Sequence, residues 1–460
     1  MNKYLEKYWV HFNIIFIFLA LIFQLIKVYK TNSFSAVHID IPGLLLMIAG
    51  FSLLLCVFLL RKKEKILPNL ILIVTGYALL CIGFSCQTDP ELRWEGSDVA
   101  LYNYQAGEEV VKYGPGYIIS TWNLRANPFD TDSTDVFPYE AREMFSKDVY
   151  KDYMKYFTGD RWNQTSLDLN KSNNRPYMHP PLTPVVIGLW MKLIPFGRYS
   201  AQLLMILLNL TIFVLIFLKY FKERTNHFYI LFFAIITTPA AILFINPSAE
   251  QLTMVLLTLA AGFLLQKDLT NSFFFPFISG LIMGLTFYTK FIVAFYIIIQ
   301  IIALAVSYRT ITFKPVIGYI LGLFLIFVLF TLSGYYFWLT ILTGKVVTEL
   351  YIQANPPVTL FQLMLKLYYF GMPLIIITIY MITKIRLLKN KVVLIPLIMG
   401  IVIYMALTWK VGTFNRYLYI FVPAMFPFFY DSIKNIKFSD KGVLIVPITS
   451  LVLLWLILYL

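Results

Sequence analysis

Apolar runs long enough to cross a bilayer recur along the whole chain. Fourteen can be marked, near 10–28, 43–60, 66–86, 181–195, 201–218, 228–245, 251–265, 275–289, 290–306, 316–333, 371–383, 392–407, 417–430 and 442–459. A span of hydrocarbon takes about 20 residues of helix. A backbone in lipid must satisfy its own hydrogen bonds, so these runs predict helices. The ten-residue alternation of a membrane β-barrel is missing. One long polar stretch, from Gln87 to Pro180, interrupts the pattern. Inside it, Val99, Tyr102, Ala106 and Val110 recur at helical spacing, as do Met144, Val149, Tyr153 and Phe157. Two short amphipathic helices are expected there, broken at Gly114-Pro115-Gly116 and Asn127-Pro128. The fold class expected is an all-α polytopic membrane protein with a large, partly helical first external loop.

Charge orients these segments. The chain is 59% hydrophobic, with a mean hydropathy of +0.74, and carries a net charge of +14. Fifteen of its 24 acidic residues fall in the loop 87–180, with only ten of its 38 basic ones. Other basic residues sit in short clusters between spans, for example at Arg61-Lys62-Lys63, Lys219 to Arg224 and Lys384 to Lys391. Cytoplasmic loops carry such clusters, which puts the acidic loop outside. The same clustering argues against nucleic acid as a partner. Residues 334–370 and 408–416 are expected outside as well. Counting inward from the two ends gives a conflict of parity, so one segment is not a full span. The short runs 181–195 and 251–265 are the candidates, leaving about thirteen crossings by this count. The organisation expected is two spans in 1–65, a module over 66–333 that includes the loop, a second external segment at 334–370 with an amphipathic helix, and C-terminal spans in 371–460. Cys56, Cys81 and Cys86 all lie in or beside apolar runs, so they suggest no disulfide framework. The run 10–28 is long for a signal peptide and is read as a retained span.

Candidate chemistry collects at the ends of spans. Asp98 opens the first amphipathic helix of the loop and is read in two ways, as a helix cap or as a general base. Glu95, Glu108 and Glu109 are nearby alternatives. The loop closes on His179-Pro180-Pro181-Leu182. Paired prolines suit a helix start; the histidine either marks that entry or offers a ring N–H to a phosphate. Lys290, Lys410 and Arg416 are basic residues where an external face should have few. Such cations either snorkel or face a cavity and its anion. Glu250 heads another span in Pro247-Ser248-Ala249-Glu250. The acidic turn Asp130, Asp132, Asp135 lacks the glycine and distal glutamate of a calcium loop. No histidine and cysteine cluster has zinc spacing, and no glycine-rich phosphate loop is present. The sequence indicates no metal and no other cofactor; a divalent cation is the one cofactor left open.

In combination, these motifs resemble the GT-C class of polytopic glycosyltransferases, and within it the protein O-mannosyltransferases and lipid A aminoarabinose transferases. The resemblance rests on Trp94-Glu95-Gly96-Ser97-Asp98 soon after a span, on His179-Pro180-Pro181-Leu182, and on the proline and acid of Pro247 to Glu250. It rests also on the Gly280 to Lys290 run and on Arg416-Tyr417 followed by Pro423. It covers roughly residues 66–430. Val99 stands where many members have a second acid, the loop is longer than in the simplest members, and two spans precede the module.

The resemblance implies a GT-C-type helix bundle active on its external face, and the abundance of Ile, Phe, Lys and Asn points to the plasma membrane of a bacterial cell envelope. Its donor would be a polyprenyl-phosphate sugar, and its acceptor a hydroxyl on a glycan, lipid or protein. Asp98 would act as base. His179, Lys290, Lys410 and Arg416 would meet the donor phosphate. Glu95, Glu250, Tyr351, Gln353 and Asn355 would be substrate contacts. Two other readings stand beside it. One is a polymerase or ligase that moves whole lipid-linked oligosaccharides. The other is a flippase for a lipid-linked precursor, although inverted repeats are not apparent.

Overall fold

In the computed structural model the residues described are 41–60, 66–87, 103–104, 106–116, 180–196, 198–220, 226–236, 248–266, 272–290, 293–308, 312–333, 372–388, 390–411 and 418–437, with 238, 269, 445 and 448. They form helices, with no strand among them. The chain order is α1 (Ile41–Leu60), α2 (Ile66–Gln87), α3 (Ala106–Tyr113), α4 (Leu182–Leu193), α5 (Arg198–Tyr220), α6 (Asn226–Ile236) and α7 (Ala249–Leu264). There follow α8 (Phe274–Phe287), α9 (Val293–Tyr308), α10 (Lys314–Leu332), α11 (Met372–Thr383), α12 (Lys391–Val411) and α13 (Val422–Ile433).

The bundle is apolar inside and out. Three helices among the described residues, Ile66–Gly83, Tyr199–Tyr220 and Lys314–Leu332, are long and apolar enough to cross a membrane. Shorter apolar helices surround them. On α10, Ile317, Phe324 and Leu332 are exposed, and on α9 so are Ile298 and Ile302. Water would penalise such a surface, whereas hydrocarbon does not. The chain is therefore a helical membrane protein in architecture. At the centre lies α6, buried on every side from Phe228 to Ile236. A helix apolar all round belongs in such a place. The Tyr419 hydroxyl donates to the Ile235 carbonyl at 3.0 Å and ties the lead-in to α13 onto the end of α6.

Close backbone contact, more than side-chain bulk, joins several helix pairs. A Cβ on Gly280 of α8 would stand 2.1 Å from the Tyr319 carbonyl of α10, and one on Gly322 would stand 2.2 Å from the Phe277 carbonyl. Small residues let membrane helices approach in this way. The glycines of the Gly280 to Lys290 run thus have a packing role, whatever else the run does. At the end of α8, the Tyr288 ring stacks on Phe330 of α10, with centroids 3.7 Å apart.

The two segments offered for the parity conflict, 181–195 and 251–265, form the short helices α4 and α7. Helices α5 and α7 run in parallel, since their C-terminal turns line one groove, with Lys219 and Tyr220 beside Leu265 and Gln266. Their N-termini therefore share the opposite end. Helix α4 begins at that end, where the Leu182 N–H donates to the Tyr288 carbonyl at 3.0 Å. Four residues after α4 stops, α5 starts from the same end. Helices α4, α5 and α7 therefore all begin at one end of the bundle.

Candidate functional site

Three sequence motifs meet at the shared end of α4, α7 and α8. The first is the start of α4. Pro180 and Pro181 are buried and carry no N–H, so they leave no unmet donor in the protein interior. The first free donor of the helix belongs to Leu182, and the Tyr288 carbonyl satisfies it. The second motif is the start of α7. Ser248 takes an extended conformation at its cap, and Glu250 lies in its first turn, where the helix dipole favours a carboxylate. The third is the break between α8 and α9. The Thr289 and Lys290 N–H groups both fold back to the Thr286 carbonyl, at 3.0 and 3.1 Å, so the chain turns at the boundary between the runs 275–289 and 290–306.

Glu250 and Lys290 form an ion pair across α7 and that break, with the Lys290 Nζ donating to Glu250 Oε1. Both are buried, Glu250 being 2% exposed and Lys290 6%. Lys290 therefore does not snorkel to the surface. A turn further along α7, the Thr253 and Thr289 hydroxyls lie 2.8 Å apart. Thr253 also reaches the Ala249 carbonyl at 2.7 Å, and Thr289 the Thr286 carbonyl at 2.6 Å. Two hydroxyl protons serve these three contacts. Gln251 and Thr253 are fully buried, and the Ser248 hydroxyl is buried with no partner among the described residues. Polar groups inside an apolar bundle are costly unless paired or hydrogen-bonded, and ionisable residues kept there mark a candidate functional site.

The loop's first helix docks beside this cluster. Helix α3 confirms the described part of the expected amphipathic segment and ends where Gly114, at φ +86, closes it with a bond to the Val110 carbonyl at 2.9 Å. It packs on α4 through two glycines. A Cβ on Gly188 would meet the Val110 Cβ at 2.4 Å and the Gly107 carbonyl at 2.5 Å. A Gly188→Leu change is expected to pry α3 off α4 and cost about 1–3 kcal/mol. Thermal unfolding in detergent measures this, with Leu189→Ala on the exposed face of α4 as the near-neutral control.

The structure thus brings together Glu250 and Lys290, which the sequence offered separately. It sets them against the turn that follows His179, with the helix that follows Asp98 packed alongside. Asp98, Glu95, His179, Arg416, Tyr351, Gln353 and Asn355 lie outside the described residues, as does the amphipathic segment 140–157. Lys410 falls on α12, with its side chain outside the described ones. Sequence reasoning missed Thr253 and Thr289 as partners of each other. Their signal was a threonine one turn beyond each member of the ion pair or next to it, which charge-based reading passes over. No family model matches the chain, and no curated protein or solved structure does either.

Proposed function

We propose that this chain is an integral-membrane glycosyltransferase of the GT-C type, with about thirteen crossings. It moves a sugar from a polyprenyl-phosphate donor to an acceptor hydroxyl on the outer face of the plasma membrane. The observation that carries this reading is the convergence of the Pro180-Pro181-Leu182 start, the Ser248 to Glu250 start and the Tyr288 to Lys290 break at one end of the bundle. Those motifs are scattered over more than a hundred residues, and the resemblance ranks each of them as functional.

In this reading Asp98 takes the proton of the acceptor hydroxyl. The oxygen attacks the anomeric carbon, the bond from that carbon to the phosphate oxygen breaks, and polyprenyl phosphate leaves with inversion. Cations beside the phosphate stabilise its growing charge. The Lys290 ammonium has three N–H donors, one of them held by Glu250. Its charge is shared with that carboxylate, so most of the neutralisation falls to His179, Lys410 and Arg416. Glu250 acts chiefly by fixing Lys290.

Purified protein in vesicles, given a polyprenyl-phosphate sugar and a membrane extract as acceptor source, is expected to release polyprenyl phosphate as the sugar appears on acceptor. Transbilayer movement of the donor with no bond broken would replace this reading with a flippase. Transfer of intact oligosaccharide blocks would place the chain among glycan ligases.

A further inference from the structure

At the far end of α7 from the Glu250–Lys290 pair, a groove of about 210 Å³ opens between α5, α7 and α13. Gly262 lines it twelve residues beyond Glu250, roughly 18 Å along the helix. The groove is therefore distinct from the candidate site. Its floor is apolar and buried, with Phe426 and Ala424 of α13 and Ala261 of α7. Its rim is open at Leu215, which is 45% exposed. Its mouth is basic. Lys219 stands there, exposed, with its ammonium 5.9 Å from the Tyr220 ring. The Tyr220 ring in turn packs on Phe426 and Tyr430, at 4.9 and 5.4 Å.

Two features separate this groove from an ordinary seam between helices. Interiors pack to high density, and voids of this size are few. Here the void is lined by a glycine near the end of α7, although glycine weakens a helix. A Cβ placed on Gly262 would meet nothing within 4 Å, so the neighbouring helices do not require its absence. Helix α5 is also one of those able to cross the membrane, with Lys219 one residue from its end. The groove therefore runs from the polar edge of the bilayer into hydrocarbon. In the sequence Lys222, Glu223 and Arg224 follow this end of α5.

We infer that the groove binds an anionic phospholipid, one acyl chain lying along Gly262 and the phosphate facing Lys219. A chain fits the apolar floor, and basic residues at a membrane edge select anionic headgroups. This inference is independent of the transferase reading. It is tested on the full-length protein in nanodiscs of equal phosphatidylglycerol and phosphatidylcholine, extracted and examined by native mass spectrometry.

Wild type is expected to retain phosphatidylglycerol about fivefold over phosphatidylcholine, the preference that one interfacial lysine confers. Lys219→Gln should erase the preference while still retaining lipid. Gly262→Leu should fill the groove and lose the bound lipid, with thermal stability equal to or above wild type. Should Gly262→Leu not fold, the Lys219→Gln preference alone decides. Equal retention of the two lipids by wild type, or an unchanged preference in Lys219→Gln, overturns the inference. So does retention of polyprenyl phosphate in place of phospholipid.

Discussion

Replacing Lys290 with alanine is expected to destabilise the protein by about 3–5 kcal/mol, because it leaves a buried carboxylate without its counter-ion. Glu250 is 2% exposed and cannot reach water without displacing the first turn of α7. The α7 dipole offsets part of this loss, on the order of 0.5–1 kcal/mol. The double change Glu250→Gln with Lys290→Met removes both charges and nearly keeps both volumes. It should recover most of the stability, since an apolar or neutral replacement of a buried pair is often close to neutral. Thermal unfolding in one detergent, compared across the two singles and the double, reads the coupling directly. Additive losses in the double would mean that the two side chains do not act as a pair. The same variants bear on function, because the stable double lacks the oriented ammonium. On the proposed reading it transfers sugar poorly while remaining folded.

Helices were legible in this sequence because membrane spans announce themselves through length and composition. The run 201–218 became Arg198–Tyr220, and 316–333 became Lys314–Leu332, each with ends within a few residues. The loop helix was legible too, since Gly114 stops it where the Gly-Pro-Gly break predicted. The boundary between the runs 275–289 and 290–306 falls in the turn that separates α8 from α9, but the burial of Lys290 in that turn had no signal in the sequence. Hydropathy treats a lysine as a span end, whereas a carboxylate 40 positions away in sequence lets it stay inside. Pairing between α7 and α8 is a tertiary fact with no local signal. Where α4 begins relative to α7 had no local signal either, and is fixed by the bond from Leu182 to Tyr288.

Asp98→Asn is expected to lower sugar transfer by about 10²–10⁴-fold while leaving stability unchanged. This is the size of effect seen when a general base is lost. Asparagine suits the test because it caps a helix about as well as aspartate does. If Asp98 only caps the helix that leads to α3, the variant should fold and act as wild type does. Asp98→Ala supplies the complementary measurement. Losing the cap would cost about 0.5–2 kcal/mol of stability, and losing the base would cost activity. The two roles therefore separate on a plane of stability against rate. A base moves both variants down in rate, and a cap moves only the alanine variant down in stability. Glu95 is the control, since it lies three residues earlier on the same stretch and carries the same charge. Glu95→Gln with an unchanged rate, beside Asp98→Asn with none, would assign the proton to Asp98. The reverse result would move it to Glu95 and leave the rest of the proposed site in place. Packing of α3 on α4 makes the outcome sensitive to position as well as charge. Gly188→Leu should therefore reproduce part of the rate loss while both carboxylates remain.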